Sequence, residues 1–298
     1  MPSDILDFFA RRGREGGVRA PHNGLKVRRI VQIVQDLATR PLDQMSVLDL
    51  GCGEGVYTIE TALRGPRVLG VDARPGRMNE AARIAERLGI TTVRFEQNDV
   101  RNITADSCGR YDVVYFLGML YHLDVPDAFH VLEHLHDVCR EWLVIDTHVS
   151  LAPQETVAHR GRTYMGTRVR EHDDEDPEPL RRTRELRSID NTFSFHFATR
   201  SLIRLLVDLG FTSVFECHVP LEPLKPANRV TLVARKGRPV TISTYPWVNG
   251  KTADQIDQYL KAEPSPPTRD APSRASLKGF VKWTFRRLGY EIKRVDTS

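Results

Sequence analysis

Three aspartates follow short apolar runs that are typical of buried strands: Asp49, Asp72 and Asp99. A carboxylate can accept hydrogen bonds from an ammonium group, a ribose diol or an adenine amino group. We expect Asp49 to bind an ammonium group or fix the adjoining loop, Asp72 to bind both ribose hydroxyls, and Asp99 to accept from adenine while Val100 covers the ring. Because the carboxyl ends of parallel strands meet at one edge of a sheet, these residues predict a nucleoside site.

The loop after the first of these strands has a glycine at every second position: Gly51, Gly53 and Gly55. Glycines let the backbone approach a ligand where a Cβ would collide, and they precede a helix whose N–H groups face the same point. The dinucleotide fingerprint requires a further glycine where Val56 stands. The spacing therefore argues against a pyrophosphate cofactor.

The elements that must position these residues alternate along the chain. We predict strands at 46–50, 67–72, 92–96, 112–117 and 142–147, with helices at 55–64, 76–88 and 126–138. A further helix begins at Thr199, as N-cap, and closes at Gly210, and strands at 212–219 and 229–235 follow. This alternation predicts an α/β fold with a doubly wound, seven-stranded, mostly parallel sheet of the Rossmann-like type.

Composition changes divide the chain into segments. Residues 1–44 form a basic lead-in with a helical stripe, 45–238 the main domain, 239–274 a proline-rich linker and 275–298 a basic amphipathic helix. That last helix could contact an anionic membrane or a partner, or could pack back on the protein. Residues 149–198 are an insertion in which an acidic block precedes a basic one, which is typical of a solvated mobile loop or of a lid over a substrate.

The bulk composition limits the setting of the protein. Its 298 residues carry a formal charge of +4, which is too small an excess to indicate nucleic acid binding alone. The four cysteines lack CxxC spacing, so neither a zinc site nor a disulfide framework is suggested. No signal peptide or spanning segment is visible, and we expect a cytoplasmic protein, with peripheral membrane attachment through the terminal helix as an alternative.

Residues 47–124 resemble the class I S-adenosylmethionine-dependent methyltransferases, with the glycine loop, Asp72 and Asp99 in family order. The resemblance implies S-adenosylmethionine as the cofactor. Residues 117–123 (Leu-Gly-Met-Leu-Tyr-His-Leu) resemble a branch that holds tRNA wobble-uridine methyltransferase-like proteins and sugar or polysaccharide O-methyltransferases. The predicted cofactor-binding set comprises Asp49, Gly51, Cys52, Gly53, Gly55, Asp72, Ala73, Asp99, Val100 and Leu117.

A hydroxyl acceptor needs a base, because an alcohol is a poor nucleophile at neutral pH. His122 is the predicted base, with Tyr121 beside it and His148 as the second candidate; a buried, hydrogen-bonded histidine is the alternative for His122. Asp146 and His148 could share a divalent ion, but a third ligand is lacking and no metal is predicted. His196 is expected to pack against or gate the pocket.

The leading prediction is O-methylation of a sugar, a glycan or another small hydroxylated molecule. A tRNA methyltransferase is second, supported by the resemblance at Tyr121 and His122 and by a basic segment that includes Arg11, Arg12, Arg14, Arg19, Arg28 and Arg29. Those basic residues do not form the continuous stripe with exposed aromatic residues that RNA binding favours. A cofactor-binding adaptor without turnover is the third alternative.

Overall fold

The computed structural model describes residues 20–184, 186–222 and 225–238. The predicted linker at 239–274, the predicted basic helix at 275–298 and the first nineteen residues of the predicted lead-in lie outside these ranges. Within the described residues, no helix is both long enough and apolar enough to cross a membrane.

The main sheet has seven strands in the order β3-β2-β1-β4-β5-β10-β9. Their bounds are β1 Ser46–Leu50, β2 Arg67–Asp72, β3 Val93–Gln97, β4 Tyr111–Leu117, β5 Cys139–His148, β9 Ser213–Glu216 and β10 Arg229–Arg235. The first five strands run parallel, whereas β10 is antiparallel to both β5 and β9. The predicted doubly wound, mostly parallel sheet is confirmed.

The central strands are apolar on both faces because helices cover both sides of the sheet. Every residue of β1 is buried, and β4 is buried from its second residue onward. The helices are α1 Ala20–Leu37, α2 Val56–Ala62, α3 Pro75–Arg87, α4 Ala105–Cys108, α5 Asp127–Val138, α6 Glu178–Thr183 and α7 Thr199–Asp208. Thr199 does not cap α7 as predicted, because Ala198 occupies the cap position and no side chain caps the helix.

Helix α1 packs on the sheet through one apolar face. Ile30, Ile33 and Val34 share a buried cluster with Val47 of β1 and Val144 of β5. The apolar stripe noted in the sequence therefore covers the side of the sheet opposite α5, whose Leu132 and Leu135 lie in the larger core cluster.

The segment predicted as a loop or lid contains a second, three-stranded sheet. Strands β6 Glu155–His159, β7 Arg162–Arg170 and β8 Phe193–Phe197 pair antiparallel in that order. Phe195 and Phe197 of β8 are fully buried in the larger core cluster. The insertion is thus anchored to the main domain by its own apolar residues, and its acidic and basic stretch connects β7 to β8.

Candidate functional site

A cavity of about 410 Å³ opens at the carboxyl ends of β1, β2 and β4. This is the edge at which a doubly wound sheet binds its ligands, and the volume is in the range of small-molecule sites. The main domain contributes Gly51, Asp72, Ala73, Arg74, Asp99, Val100, Arg101, Leu117, Gly118, Met119, Tyr121, His122 and Leu123. The insertion contributes Leu186, Arg187, Ser188, Ile189 and Asn191.

The cavity brings together eight of the thirteen residues predicted for the site. They are Gly51, Asp72, Ala73, Asp99, Val100, Leu117, Tyr121 and His122. The remaining five, Asp49, Cys52, Gly53, Gly55 and His148, do not line it.

The three glycines of the loop differ in what they do. All three have positive φ, at +72°, +54° and +73°. A Cβ on Gly51 would lie 2.3 Å from the Met119 side chain, so this glycine is needed at the cavity wall itself. A Cβ on Gly55 would lie 2.7 Å from Ala81, so that glycine serves close packing of α2 against α3.

Asp72 shapes the loop while it faces the cavity. Its Oδ2 accepts from the Gly53 N–H at 2.9 Å, and its Oδ1 accepts from the Arg74 N–H at 2.8 Å. A carboxylate has about four acceptor sites, so each oxygen retains capacity for a ligand hydroxyl. The predicted role for Asp72 as a binder of ribose hydroxyls fits this placement.

Asp49 lies behind the loop, at 1% exposure. Its Oδ2 accepts from Thr58 Oγ of α2 at 2.6 Å. Burial raises the pKa of Asp49 to about 7, against the opposing hydrogen bond from Thr58. Of the two predicted roles for Asp49, these contacts favour fixing the loop over binding an ammonium group.

Asp99 forms an ion pair that the sequence did not predict. Its Oδ1 accepts from the Arg101 backbone N–H at 2.9 Å, and its Oδ2 accepts from Arg101 Nη2 at 2.6 Å. The same Nη2 lies 2.7 Å from Asp190 of the insertion. Burial opposes the shift, but the hydrogen bonds from Arg101 lower the pKa of Asp99. Asp99 therefore stays ionised at neutral pH, with acceptor capacity left on Oδ2.

His122 is paired with a carboxylate from the insertion. Its Nδ1 lies 2.9 Å from Glu171 Oε1, and the second oxygen of Glu171 accepts from the Ser188 backbone N–H at 3.1 Å. Asn191 Nδ2 donates to the His122 carbonyl at 3.1 Å. His122 therefore faces the cavity with its backbone and one ring nitrogen both held by residues of the insertion.

Tyr121 stands between the cavity and the other candidate histidines. Its ring centroid lies 4.8 Å from that of His148 and 6.0 Å from that of His196. Burial, followed by the charge of Arg229, lowers the pKa of His148; burial, followed by His148, lowers that of His196. His196 also lines a second cavity of about 380 Å³ together with Ser150, Thr167 and Asn228.

Asp146 is surrounded by cations, which removes the basis for a metal shared with His148. Its oxygens lie 2.6 Å from Arg229 Nε, 3.0 Å from Lys26 Nζ and 3.4 Å from Lys225 Nζ. Burial opposes the shift, but the charges of Lys26 and Arg229 hold the pKa of Asp146 well below its usual range. Among the described residues, no group of three His, Cys, Asp or Glu side chains could hold a metal ion.

The sequence did not indicate Glu171 and Arg101, two of the residues that join the insertion to the cavity wall. Glu171 stood within an acidic block that resembled a solvated loop, yet it is 6% exposed, and its neighbour His172 is 1% exposed. Arg101 is two residues after Asp99, and this spacing was the one available signal for their pairing. The expectation that this stretch is a solvated mobile loop is wrong at its buried start.

Comparison with known proteins agrees with this geometry. Residues 47–141 match the family model described as a methyltransferase domain. The ubiquinone biosynthesis O-methyltransferase of Acinetobacter baylyi is 33% identical over 87 residues, which are 29% of this chain and 36% of that protein. The protein of the same name from Azotobacter vinelandii is 37% identical over 98 residues, 32% of this chain and 39% of that one. The chain thus spans well under half the length of these relatives.

Solved structures share the fold. The N-terminal domain of EvdMO1, crystallised with S-adenosylhomocysteine and D-fucose, aligns with a TM-score of 0.55 at 22% identity over 70% of this chain and 82% of that one. The 1,6-didemethyltoxoflavin-N1-methyltransferase of Burkholderia thailandensis aligns with a TM-score of 0.51 at 23% identity over 80% and 87%. Residues 47–141 therefore match a methyltransferase domain, and the sheet around them has the fold of structures solved with S-adenosylhomocysteine, in agreement with the predicted class.

Proposed function

We propose that this protein transfers the methyl group of S-adenosylmethionine to a hydroxyl of a small molecule, a sugar or a glycan, with His122 as the general base. The observation that carries the proposal is that His122 lines the same cavity as Gly51, Asp72 and Asp99. The nucleoside-binding carboxylates and the candidate base thus share one enclosure, as in-line transfer requires.

The cofactor fits the residues on the cavity wall. Gly51 and Asp72 would hold the amino-acid and ribose parts, and Asp99 would accept from the adenine amino group. When bound, S-adenosylmethionine supplies a methyl group on a positively charged sulfur, which is a strong electrophile. Because no large activation of the donor is needed, the remaining tasks for the chain are alignment of the acceptor and removal of its proton.

His122 can remove that proton from the cavity side. Glu171 occupies Nδ1, and among the described residues no hydrogen bond engages Nε2. A hydroxyl in the cavity would give its proton to Nε2, which makes the oxygen nucleophilic as the new bond to carbon forms. Tyr121 lies beside His122 and would orient the acceptor, whereas His148, the other predicted catalytic residue, packs against the Tyr121 ring.

The acceptor class rests on two supports. The curated relatives are named as O-methyltransferases of ubiquinone biosynthesis, and a structure with the same fold was crystallised with D-fucose. The second cavity, with Ser150, Thr167, His196 and Asn228 on its wall, offers hydroxyl, amide and imidazole groups that suit a hydroxylated acceptor. The reacting hydroxyl would lie in the first cavity beside His122, and the rest of the acceptor would extend past Tyr121 toward this second cavity.

The tRNA alternative loses one of its supports. Arg29, part of the basic segment that favoured it, is 1% exposed and hydrogen-bonds within the protein. A buried guanidinium cannot contact phosphates. Methylation of tRNA and cofactor binding without turnover remain the two alternatives that the following experiment distinguishes from the proposal.

The three functions are distinguished by incubating the purified full chain with methyl-labelled S-adenosylmethionine. One reaction contains a pool of monosaccharides, glycans and small hydroxylated metabolites, and a parallel reaction contains tRNA. We expect label in monosaccharides, glycans or small hydroxylated metabolites and none in tRNA. Label in tRNA alone would contradict the acceptor class. Binding of S-adenosylhomocysteine without label in any fraction would favour the adaptor and remove both enzyme functions.

Two variants separate binding from chemistry. Asp72→Ala should abolish binding of S-adenosylhomocysteine in calorimetry, because both the loop and the ribose contact depend on its carboxylate. His122→Ala should leave that binding intact and lower turnover by about 10²- to 10⁴-fold, the usual contribution of a general base. Full turnover in the His122→Ala variant would exclude it as the base.

A further inference from the structure

The insertion delivers a buried carboxylate to the candidate base, although the two residues are far apart in the sequence. We propose that Glu171 is a positioning residue that fixes the tautomer of His122, so that Nε2 faces the cavity as the proton acceptor. This inference rests on the proposed function and goes beyond it, because it assigns part of the catalytic machinery to the insertion.

The geometry holds Glu171 in place independently of His122. The Glu171 backbone N–H donates to the Thr192 carbonyl at 2.8 Å, which secures the end of β7 against the start of β8. Its Oε2 accepts from the Ser188 N–H at 3.1 Å. With one oxygen bound by the backbone, the other is directed at His122 Nδ1 at 2.9 Å. The carboxylate is thus preorganised.

The charge state of Glu171 decides the tautomer. Burial opposes the shift, but the hydrogen bond from His122 lowers the pKa of Glu171, so the carboxylate is ionised at neutral pH. An ionised carboxylate only accepts hydrogen bonds, so the Nδ1 of a neutral His122 must carry the proton. The lone pair then lies on Nε2, which is the form a general base needs.

The pairing also compensates the charge that forms during the reaction. When Nε2 takes a proton, His122 becomes an imidazolium next to the Glu171 carboxylate, which stabilises it. Tyr121 of the same turn and His196 of β8 also lie near His122. The charged residues that line the same cavity are Asp72, Arg74, Asp99, Arg101 and Arg187. Among the described residues, Glu171 is the acidic side chain that hydrogen-bonds to His122.

His122 is further tied to the insertion through its backbone. Asn191 donates to the His122 carbonyl, and the Phe195 N–H donates to the Leu123 carbonyl at 2.8 Å. The base and its carboxylate therefore sit on elements that are joined at two more points. Catalysis should consequently require that the insertion is packed against the turn that holds His122. The insertion would then have a role besides covering the cavity.

The test compares Glu171→Gln with Glu178→Gln. Both remove one negative charge from the insertion, but Glu178 pairs with Arg182 on the surface, away from His122. We expect Glu171→Gln to lower kcat by about 10- to 100-fold, a fraction of a general base's usual contribution, and to leave the affinity for S-adenosylhomocysteine within about twofold. Glu178→Gln should match the wild type in both.

The pH profile distinguishes positioning from a merely structural role. Without the carboxylate the imidazolium that forms in the reaction is less stable, so the acidic limb of the pH profile of kcat should move to lower pH by about one unit. Glu171→Asp keeps the negative charge on a shorter side chain, so its acidic limb should lie between those of the wild type and Glu171→Gln. An unmoved acidic limb in Glu171→Gln would overturn the proposal.

Two further measurements cover a variant that fails to fold. Nitrogen-15 shifts of His122 in the wild-type protein should show the Nδ1–H tautomer, and an Nε2–H tautomer would overturn the proposal without any substitution. In a His122→Ala background, Glu171→Gln should cause no further loss of turnover. Absence of methyl transfer by the wild type would instead remove the proposed function, so the two failures are distinguishable.

Discussion

Gly51 is the residue at which conformation and packing impose the same requirement. Its φ of +72° is in the left-handed region, and a Cβ would lie 2.3 Å from Met119 Cγ and Sδ. Met119 lines the cavity, so a displacement of its side chain would change the shape of the cavity. Conformational strain and a change in cavity shape therefore act together.

We expect Gly51→Ala to lower the free energy of unfolding by about 1 to 2 kcal/mol from its backbone strain and to weaken binding of S-adenosylhomocysteine. Adding Met119→Ala should restore part of the binding but not the stability. Gly76→Ala is the control, because a Cβ there meets nothing within 4 Å and φ is ordinary. Denaturant unfolding and calorimetry measure both effects; equal stability of Gly51→Ala and the wild type would contradict the strain argument.

Asp49 contributes to the pH dependence of stability in the direction opposite to a typical acidic residue. Its pKa is raised by burial to about 7, above the value of about 3.9 in an unfolded chain. The folded protein therefore holds a proton on Asp49 that the unfolded chain releases between these two values. Stability falls as pH rises through this window and is level above it.

We expect Asp49→Asn to gain stability relative to the wild type between about pH 4 and pH 7, by at most about 1.4 kcal/mol per pH unit. The asparagine oxygen can still accept from Thr58, so the fold is retained. Asp106→Asn, the same change at an exposed position, is the control. Unfolding curves collected across this range test the prediction, and parallel profiles for wild type and Asp49→Asn would refute it.

At the scale of elements, the buried guanidinium of Arg29 links α1 to the antiparallel edge of the main sheet. Arg29 Nη1 donates to Thr231 of β10 at 2.7 Å, and Nε donates to the Pro220 carbonyl at 2.5 Å. A third hydrogen bond reaches the Cys217 carbonyl. One side chain thus joins α1 to three places in the last third of the domain.

Arg29→Ala should lower the free energy of unfolding by about 3 to 5 kcal/mol, because it removes the donor to the buried Thr231 hydroxyl and to two partly buried carbonyl groups, and a charge that pairs with Glu222. Arg28→Ala, one residue earlier and exposed, should change it by less than about 0.5 kcal/mol. Chemical denaturation of the two variants provides the comparison. Similar losses for both would show that α1 does not depend on the buried guanidinium.

At the scale of the whole domain, Arg101 connects the Asp99 side of the cavity to the insertion. It bridges Asp99 after β3 and Asp190 before β8, and it approaches Asp127 of α5 at 3.4 Å. Arg74 adds hydrogen bonds to the carbonyls of Arg184 and Arg187. The cavity wall and the insertion are therefore joined through Arg74 and Arg101.

Arg101→Ala should increase hydrogen exchange at residues 186–191 and weaken S-adenosylhomocysteine binding by about tenfold, which corresponds to about 1.4 kcal/mol. The physical reason is that the charge-assisted hydrogen bonds to Asp99 and Asp190 are lost together. Arg182→Ala, which breaks an exposed ion pair of the same insertion, is the matched control. Faster exchange without weaker binding would separate the insertion from the nucleoside site.

The sequence by itself determined the main sheet and the cofactor side of the cavity. Strands Ser46–Leu50 and Arg67–Asp72 lie where they were predicted, and Gly51, Asp72 and Asp99 line one cavity. These features are local: apolar runs fix the buried strands, and the parallel order of the strands brings their carboxyl ends together. The insertion's sheet was missed because β7 buries only Tyr164 and Gly166, which leaves little apolar alternation to detect.

Only the tertiary structure decided how the insertion and α1 are joined to the rest of the domain. Glu171 reaches His122 across 49 positions, Arg101 reaches Asp190 across 89, and Arg29 reaches Thr231 across 202. No spacing rule connects residues that far apart, because their contact depends on how the insertion and α1 pack rather than on helix or strand periodicity. Charged residues that resemble solvated loops in the sequence become buried pairs when apolar residues such as Phe195 and Ile30 draw their segments onto the core.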